Sequence, residues 1–180
     1  MSGIRIEPLS ASPNISEALS TMLIDVVANN GSVSFMHPVE PQRAAAFWAG
    51  SLAAAARGER IVLGAFDDDA GGALVATVTL LLDTPPNQAH RGEIAKMMTR
   101  PSHRGRGIAR QLMREAERLA VEHGRTLLVL DTATLDGASQ LYEALGFTFA
   151  GEIPDYALTP MGEMTGTRLY WKRIAAVASR

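Results

Sequence analysis

The sequence predicts a mixed α/β domain built around one central sheet, and three observations lead to it. Strand-type runs alternate along the chain with amphipathic helical runs, the pattern of sheet and helices packed in layers. The turn Asp67-Asp68-Asp69-Ala70-Gly71-Gly72 separates two apolar, β-forming segments, Arg60–Phe66 and Ala73–Leu82, and so predicts a hairpin. From Arg91 onward the order becomes strand, helix, strand, helix.

The chain opens with Ile4-Arg5-Ile6-Glu7, whose apolar and polar alternation predicts a short strand. Ser12-Pro13 reads as a helix N-cap with proline in the first turn. Ile15, Leu19, Leu23, Val26 and Val27 recur at helical spacing before Asn29-Asn30-Gly31 stops the helix. Glu40-Pro41 opens a second, alanine-rich helix carrying Phe47, Trp48 and Leu52 and ending near Gly58. After the hairpin, Pro85-Pro86-Asn87 interrupts the chain and Arg91–Arg100 resumes extended character. Ile108, Leu112, Ala116, Leu119 and Ala120 make one helical stripe ending at Gly124, and Thr126–Leu130 reads as a buried strand. Leu135, Ala138, Leu141, Tyr142 and Leu145 predict a further helix closed by Gly146. Phe147–Ile153 and Thr167–Ile174 finish as strands, with Pro154, Pro160 and Gly162 in the loop between them. No repeat or linker divides the chain, so residues 1–180 are expected to form one domain.

Composition narrows the chemistry. With 17 basic and 19 acidic residues the net charge is −2, which gives no bulk attraction to nucleic acid or an anionic membrane. Any anion site must be local. The absence of cysteine excludes disulfides, thiolate metal sites and a cysteine nucleophile. The four histidines, His37, His90, His103 and His123, show no metal-ligand spacing, so no metal is expected. Neither a signal peptide near Met1–Leu9 nor a membrane span is expected, and the protein is expected to be cytoplasmic.

The segment richest in chemistry is Met97-Met98-Thr99-Arg100-Pro101-Ser102-His103-Arg104-Gly105-Arg106-Gly107-Ile108-Ala109. A strand ends at a proline, a basic glycine-containing turn follows, and an amphipathic helix begins at once. Helix N-termini carry unpaired N–H groups and partial positive charge, so they suit phosphates. Gly105 and Gly107 allow the backbone to approach a ligand closely, and Arg104 and Arg106 add charge. The spacing is neither the dinucleotide fingerprint nor a Walker A loop. A plain solvated turn is the competing reading of these residues.

Arg104-x-x-Gly107-x-Ala109 resembles the acetyl-CoA signature of the GNAT acetyltransferases, and Leu141-Tyr142-Glu143-Ala144-Leu145-Gly146-Phe147 resembles their Leu-Tyr-x-x-x-Gly-Phe block. Within that superfamily the chain looks similar to the tabtoxin-resistance acetyltransferases in Gly31–Met36, Glu93–Met98, Gln111–Met113 and Leu130–Thr132. The resemblance implies the GNAT fold: a mixed, mostly antiparallel sheet of about six or seven strands, splayed between strands 4 and 5 and flanked by about four helices. It also implies acetyl-CoA as cofactor. Met97, Met98 and Thr99 would meet its pantetheine arm, and Arg104, Gly105, Arg106, Gly107, Ile108, Ala109 and Arg110 its pyrophosphate.

Carried over in the same way, Tyr142 becomes the acid beside the sulfur, although its helical neighbours Ala138 and Leu145 equally suit a core tyrosine. Asp131 and Glu93, near facing strand ends, are the candidate bases and amine-binding groups. Phe35 and Met36 are candidate walls of the acceptor pocket. The chain departs from the family at Leu135, where many members carry asparagine, which removes a polar contact to the pantetheine. The expected partner is a small-molecule amine acceptor of the toxin or antibiotic type, handled by a monomer or homodimer. Acetylation of a protein N-terminus or lysine, or a non-catalytic acetyl-CoA sensor, are the alternatives.

Overall fold

The computed structural model describes residues 3–135 and 137–175. Strands β1 (Ile4–Pro8), β2 (Arg60–Asp67), β3 (Ala73–Leu81), β4 (Arg91–Thr99), β5 (Leu127–Ala133), β6 (Thr148–Leu158) and β7 (Met164–Arg173) form one sheet. Their spatial order is β1-β2-β3-β4-β5-β7-β6. Every neighbouring pair is antiparallel except β4 and β5, which run parallel. Helices α1 (Pro13–Ala28), α2 (Pro41–Ala56), α3 (Ile108–Glu122) and α4 (Ser139–Ala144) are the α-helices among the described residues.

Each sheet face buries its own core. On one face α1 and α2 lay Leu19, Met22, Leu23, Val27, Trp48 and Leu52 over Val62 and Leu74. On the other, Ile108, Leu112, Ala116 and Ala120 of α3 pack over Leu63, Val78, Leu80 and Leu128. The helices form where the sequence signals them. Ser12 Oγ accepts the Ile15 N–H at 3.2 Å, a side-chain cap that satisfies one orphan donor. The Gly31 N–H returns to the Val26 carbonyl at 2.8 Å and closes α1. The solvent side of α3 is laced by Arg118, which bonds both Glu115 and Glu122.

Two elements differ most from the expectation. β6 does not stop at Ile153 but continues through Pro154 to Leu158, with a register irregularity between Ile153 and Ala157. Proline donates no N–H, and an edge strand is where a sheet tolerates that; β6 lies at the edge. The helix expected from Leu135 begins only at Ser139, and Leu135 is 71% exposed. That span also crosses Asp136, which lies outside the described residues.

Candidate active site

β4 and β5 pair only at Arg91–Leu127, Gly92–Leu128 and Glu93–Val129. Beyond Glu93 the two strands part. β4 keeps its pairing with β3 on the other side, so the backbone groups of Ala95–Thr99 that face β5 have no strand partner there. Unpaired strand groups need another partner, whether water or ligand. The gap opens into a cleft of about 670 Å³. Met97, Met98, Thr99, Arg104, Ala109, Asp131 and Tyr142, all expected from sequence, line it together.

One end of the cleft is the turn before α3. Gly105 and Gly107 adopt φ of 75° and 74°, and a Cβ on either would meet nothing within 4 Å. The backbone there faces open space. The first intrahelical bond of α3 runs from the Gln111 N–H to the Gly107 carbonyl, so Ile108, Ala109 and Arg110 have no intrahelical acceptor for their N–H groups. Ile108 itself turns its side chain into the core.

The two arginines of the turn have different duties. Arg104 is exposed and lines the cleft. Arg106 instead donates to Asp67 Oδ2 at 2.8 Å, and His103 Nε2 lies 3.4 Å from the same oxygen. Asp67 also accepts the Asp69 N–H, at 3.1 Å. A carboxylate only 2% exposed needs such partners. The Arg106 hydrogen bond and charge hold Asp67 below the usual carboxylate range, against the opposing effect of burial. The expected free positive charge of Arg106 is therefore spent fastening the turn to the end of β2.

Tyr142, on α4, lines the same cleft. It is 5% exposed, and its ring stands 6.1 Å from Phe147 and 6.0 Å from Tyr170. It serves the core and the cleft at once. Asp131 is exposed on β5 and accepts a hydrogen bond from Thr167 Oγ1 at 3.0 Å. Glu93, by contrast, pairs with Arg91 at 3.0 Å and does not line the cleft. Phe35 packs edge-on to Phe47 at 5.2 Å, and Met36 is exposed; neither lines the cleft. The loop contributes Gly31, Ser32, Val33 and Ser34 in their place.

Lys96 is the residue that sequence reading passed over. β4 carries an extra residue between its pairs with Thr77 and Thr79, and Lys96 takes φ of 51° there. Its Nζ donates to Ser34 Oγ at 2.9 Å and lies 5.8 Å from the Phe47 ring centroid. Burial lowers the Lys96 pKa, and the charges of Asp131 and Glu93 act to raise it. The available signal was a lysine inside the otherwise apolar run Ile94-Ala95-Lys96-Met97-Met98.

A model of the acetyltransferase (GNAT) family matches residues 25–147, more than half of the chain and the whole stretch from late α1 to Phe147. The chain belongs to the acetyltransferase (GNAT) family. Among curated proteins this GNAT chain is similar to N-acetyltransferase 8 of Rattus norvegicus, 36% identical over 86 residues, 47% of this chain and 39% of that protein. It is also similar to human N-acetylaspartate synthetase, 35% identical over 81 residues, 44% of this chain and 27% of that protein. The matches thus span about two-fifths or less of those relatives' lengths. Among solved structures, an N-acetyltransferase from Staphylococcus aureus aligns with TM-score 0.78 at 18% identity, covering 95% of this chain and 99% of that one. A protein from Salmonella typhimurium, solved with its cofactor acetyl-CoA, aligns with TM-score 0.78 at 17% identity over 98% and 97% of the two chains. These structures establish the fold.

Proposed function

We propose that this GNAT chain, acting as one domain, transfers the acetyl group of acetyl-CoA to the primary amine of a small molecule. One observation carries the reading: a single cleft joins the open N-terminus of α3, the unpaired edge of β4, Tyr142 and Asp131. The residues present fit the donor. Its pyrophosphate needs backbone N–H groups and open space, which Gly105, Gly107 and the first turn of α3 offer. Its pantetheine amides need strand-type partners, which Met97–Thr99 offer.

Acetyl-CoA supplies the acetyl group as an activated thioester. Everything else falls to the chain. Asp131, exposed at the cleft and oriented by Thr167, takes the proton that makes the incoming ammonium a neutral nucleophile. Glu93 is engaged by Arg91 and serves better as a nearby negative charge than as the base. A backbone N–H on the unpaired edge of β4 stabilises negative charge developing on the carbonyl oxygen. Tyr142, its ring fixed among Phe147 and Tyr170, holds a phenolic proton for the sulfur end. Arg104 steadies the phosphates while Arg106 holds the turn.

For the acceptor, an amino acid-like toxin or antibiotic is favoured. The resemblance to the tabtoxin-resistance acetyltransferases in Gly31–Met36 and Glu93–Met98 supports it, as does a relative named for the synthesis of N-acetylaspartate. The test is free-thiol release from acetyl-CoA across a panel of amino acids, amine-bearing antibiotics and peptides. Release with the small amines is expected. Release with peptides alone would favour protein acetylation, and silence throughout, with acetyl-CoA bound, would favour a sensor.

A further inference from the structure

Lys96 has an arrangement that packing does not require. A lysine at φ of 51° adopts backbone that side chains other than glycine rarely take. The extra residue in β4 that permits it also re-aims the side chain, as bulges beside active sites do. The result is an ammonium group half withdrawn from water at the wall of the cleft. Its near partners are neutral, the Ser34 hydroxyl and the Phe47 ring. Among the described residues no carboxylate forms an ion pair with it. Asp131 lines the same cleft and acts on Lys96 only through space. A half-buried cation without a counter-ion leaves hydrogen-bonding capacity and charge unspent.

We propose that Lys96 binds the carboxylate of the acceptor, making the acceptor class amines that carry a carboxylate close to the reacting nitrogen. Two charges of the cleft then match the two ends of an amino acid, Asp131 facing the ammonium and Lys96 the carboxylate, while Arg104 is left for the phosphates. Ser34 steadies the Lys96 Nζ, and the Phe47 face carries part of its charge. This assignment rests on the acetyltransferase reading above and adds the substrate class to it.

The test compares L-amino acids with their methyl esters by free-thiol release, in the native protein, Lys96→Met and Lys96→Arg. A charge-assisted hydrogen bond corresponds to a preference of about tenfold to a hundredfold. The native protein is expected to favour the free acids over the esters by at least that lower bound, through KM. Lys96→Met should bring the acid-to-ester ratio close to unity, and Lys96→Arg should recover part of it. A ratio that Lys96→Met leaves as it is in the native protein overturns the proposal while the acetyltransferase reading stands; so does a parallel loss on acids and esters, the mark of a structural role. Silence of every amine while acetyl-CoA binds removes the enzymatic reading and this assignment together.

Discussion

Asp67 and Arg106 show how a site residue can be held by one that sequence reading does not connect with it. They lie 39 positions apart, yet the 2.8 Å bond between them fixes the turn on which Arg104 is presented. The pH dependence of that bond has a definite sign. Asp67 titrates lower in the folded protein than in the unfolded chain, so the unfolded chain binds more protons in the window between the two values. Its stabilising contribution is complete above the ordinary aspartate value of about 4 and vanishes as pH falls through the lowered one. Asp67→Asn should therefore lower Tm at pH 7, and the gap to the native protein should close as the pH is taken below about 4. A gap of constant size, measured by calorimetry across that range, would contradict the assignment. In the sequence Arg104 and Arg106 look alike, because only the tertiary fold brings Asp67 to one of them. Lys96 escaped notice for a related reason: no propensity marks a lysine for left-handed backbone in a strand.

At the level of elements, motif and structure agree best where local chemistry is decisive. The cap at Ser12, the hairpin turn and the start of α3 at Ile108 were all legible because each is fixed by nearby residues. α4 and β6 were less so. The α4 stripe suggested a longer helix than the six residues formed, and Pro154 suggested an end that an edge strand does not need. The N-terminus of α3 can be tested as an element. Gly107→Asp puts a carboxylate into the open space before the helix, while Gly124→Asp puts the same residue at the C-terminal end. Both glycines have left-handed backbone, with φ of 74° and 72°, and neither added Cβ meets an atom within 4 Å. The backbone strain is matched. Gly107→Asp should weaken acetyl-CoA binding by at least about tenfold, the effect of one misplaced charge worth 1.4 kcal/mol. Gly124→Asp should not, and equal losses by isothermal titration would refute the placement of the phosphates.

For the molecule as a whole, the sheet order and the parting of β4 from β5 unite features that lie far apart in the chain. The loop after α1 and the strand β5 reach the cleft from opposite sides of the sequence, and only the assembled sheet brings Ser34 near Lys96 and Asp131. The fold class was legible from periodicity and two motifs. The division of labour inside the cleft was not, since it depends on which charges are already paired. A second cavity of similar size, about 670 Å³, lies against α3 and β7 near Arg114, Glu117 and Lys172, and it offers a competing place for a ligand. Hydrogen–deuterium exchange with and without acetyl-CoA separates the two most directly. Slower exchange at Met97–Thr99 and Gly105–Arg110 on adding acetyl-CoA is the predicted result. Protection confined to the Arg114–Lys172 cavity, or none at all, would contradict the account.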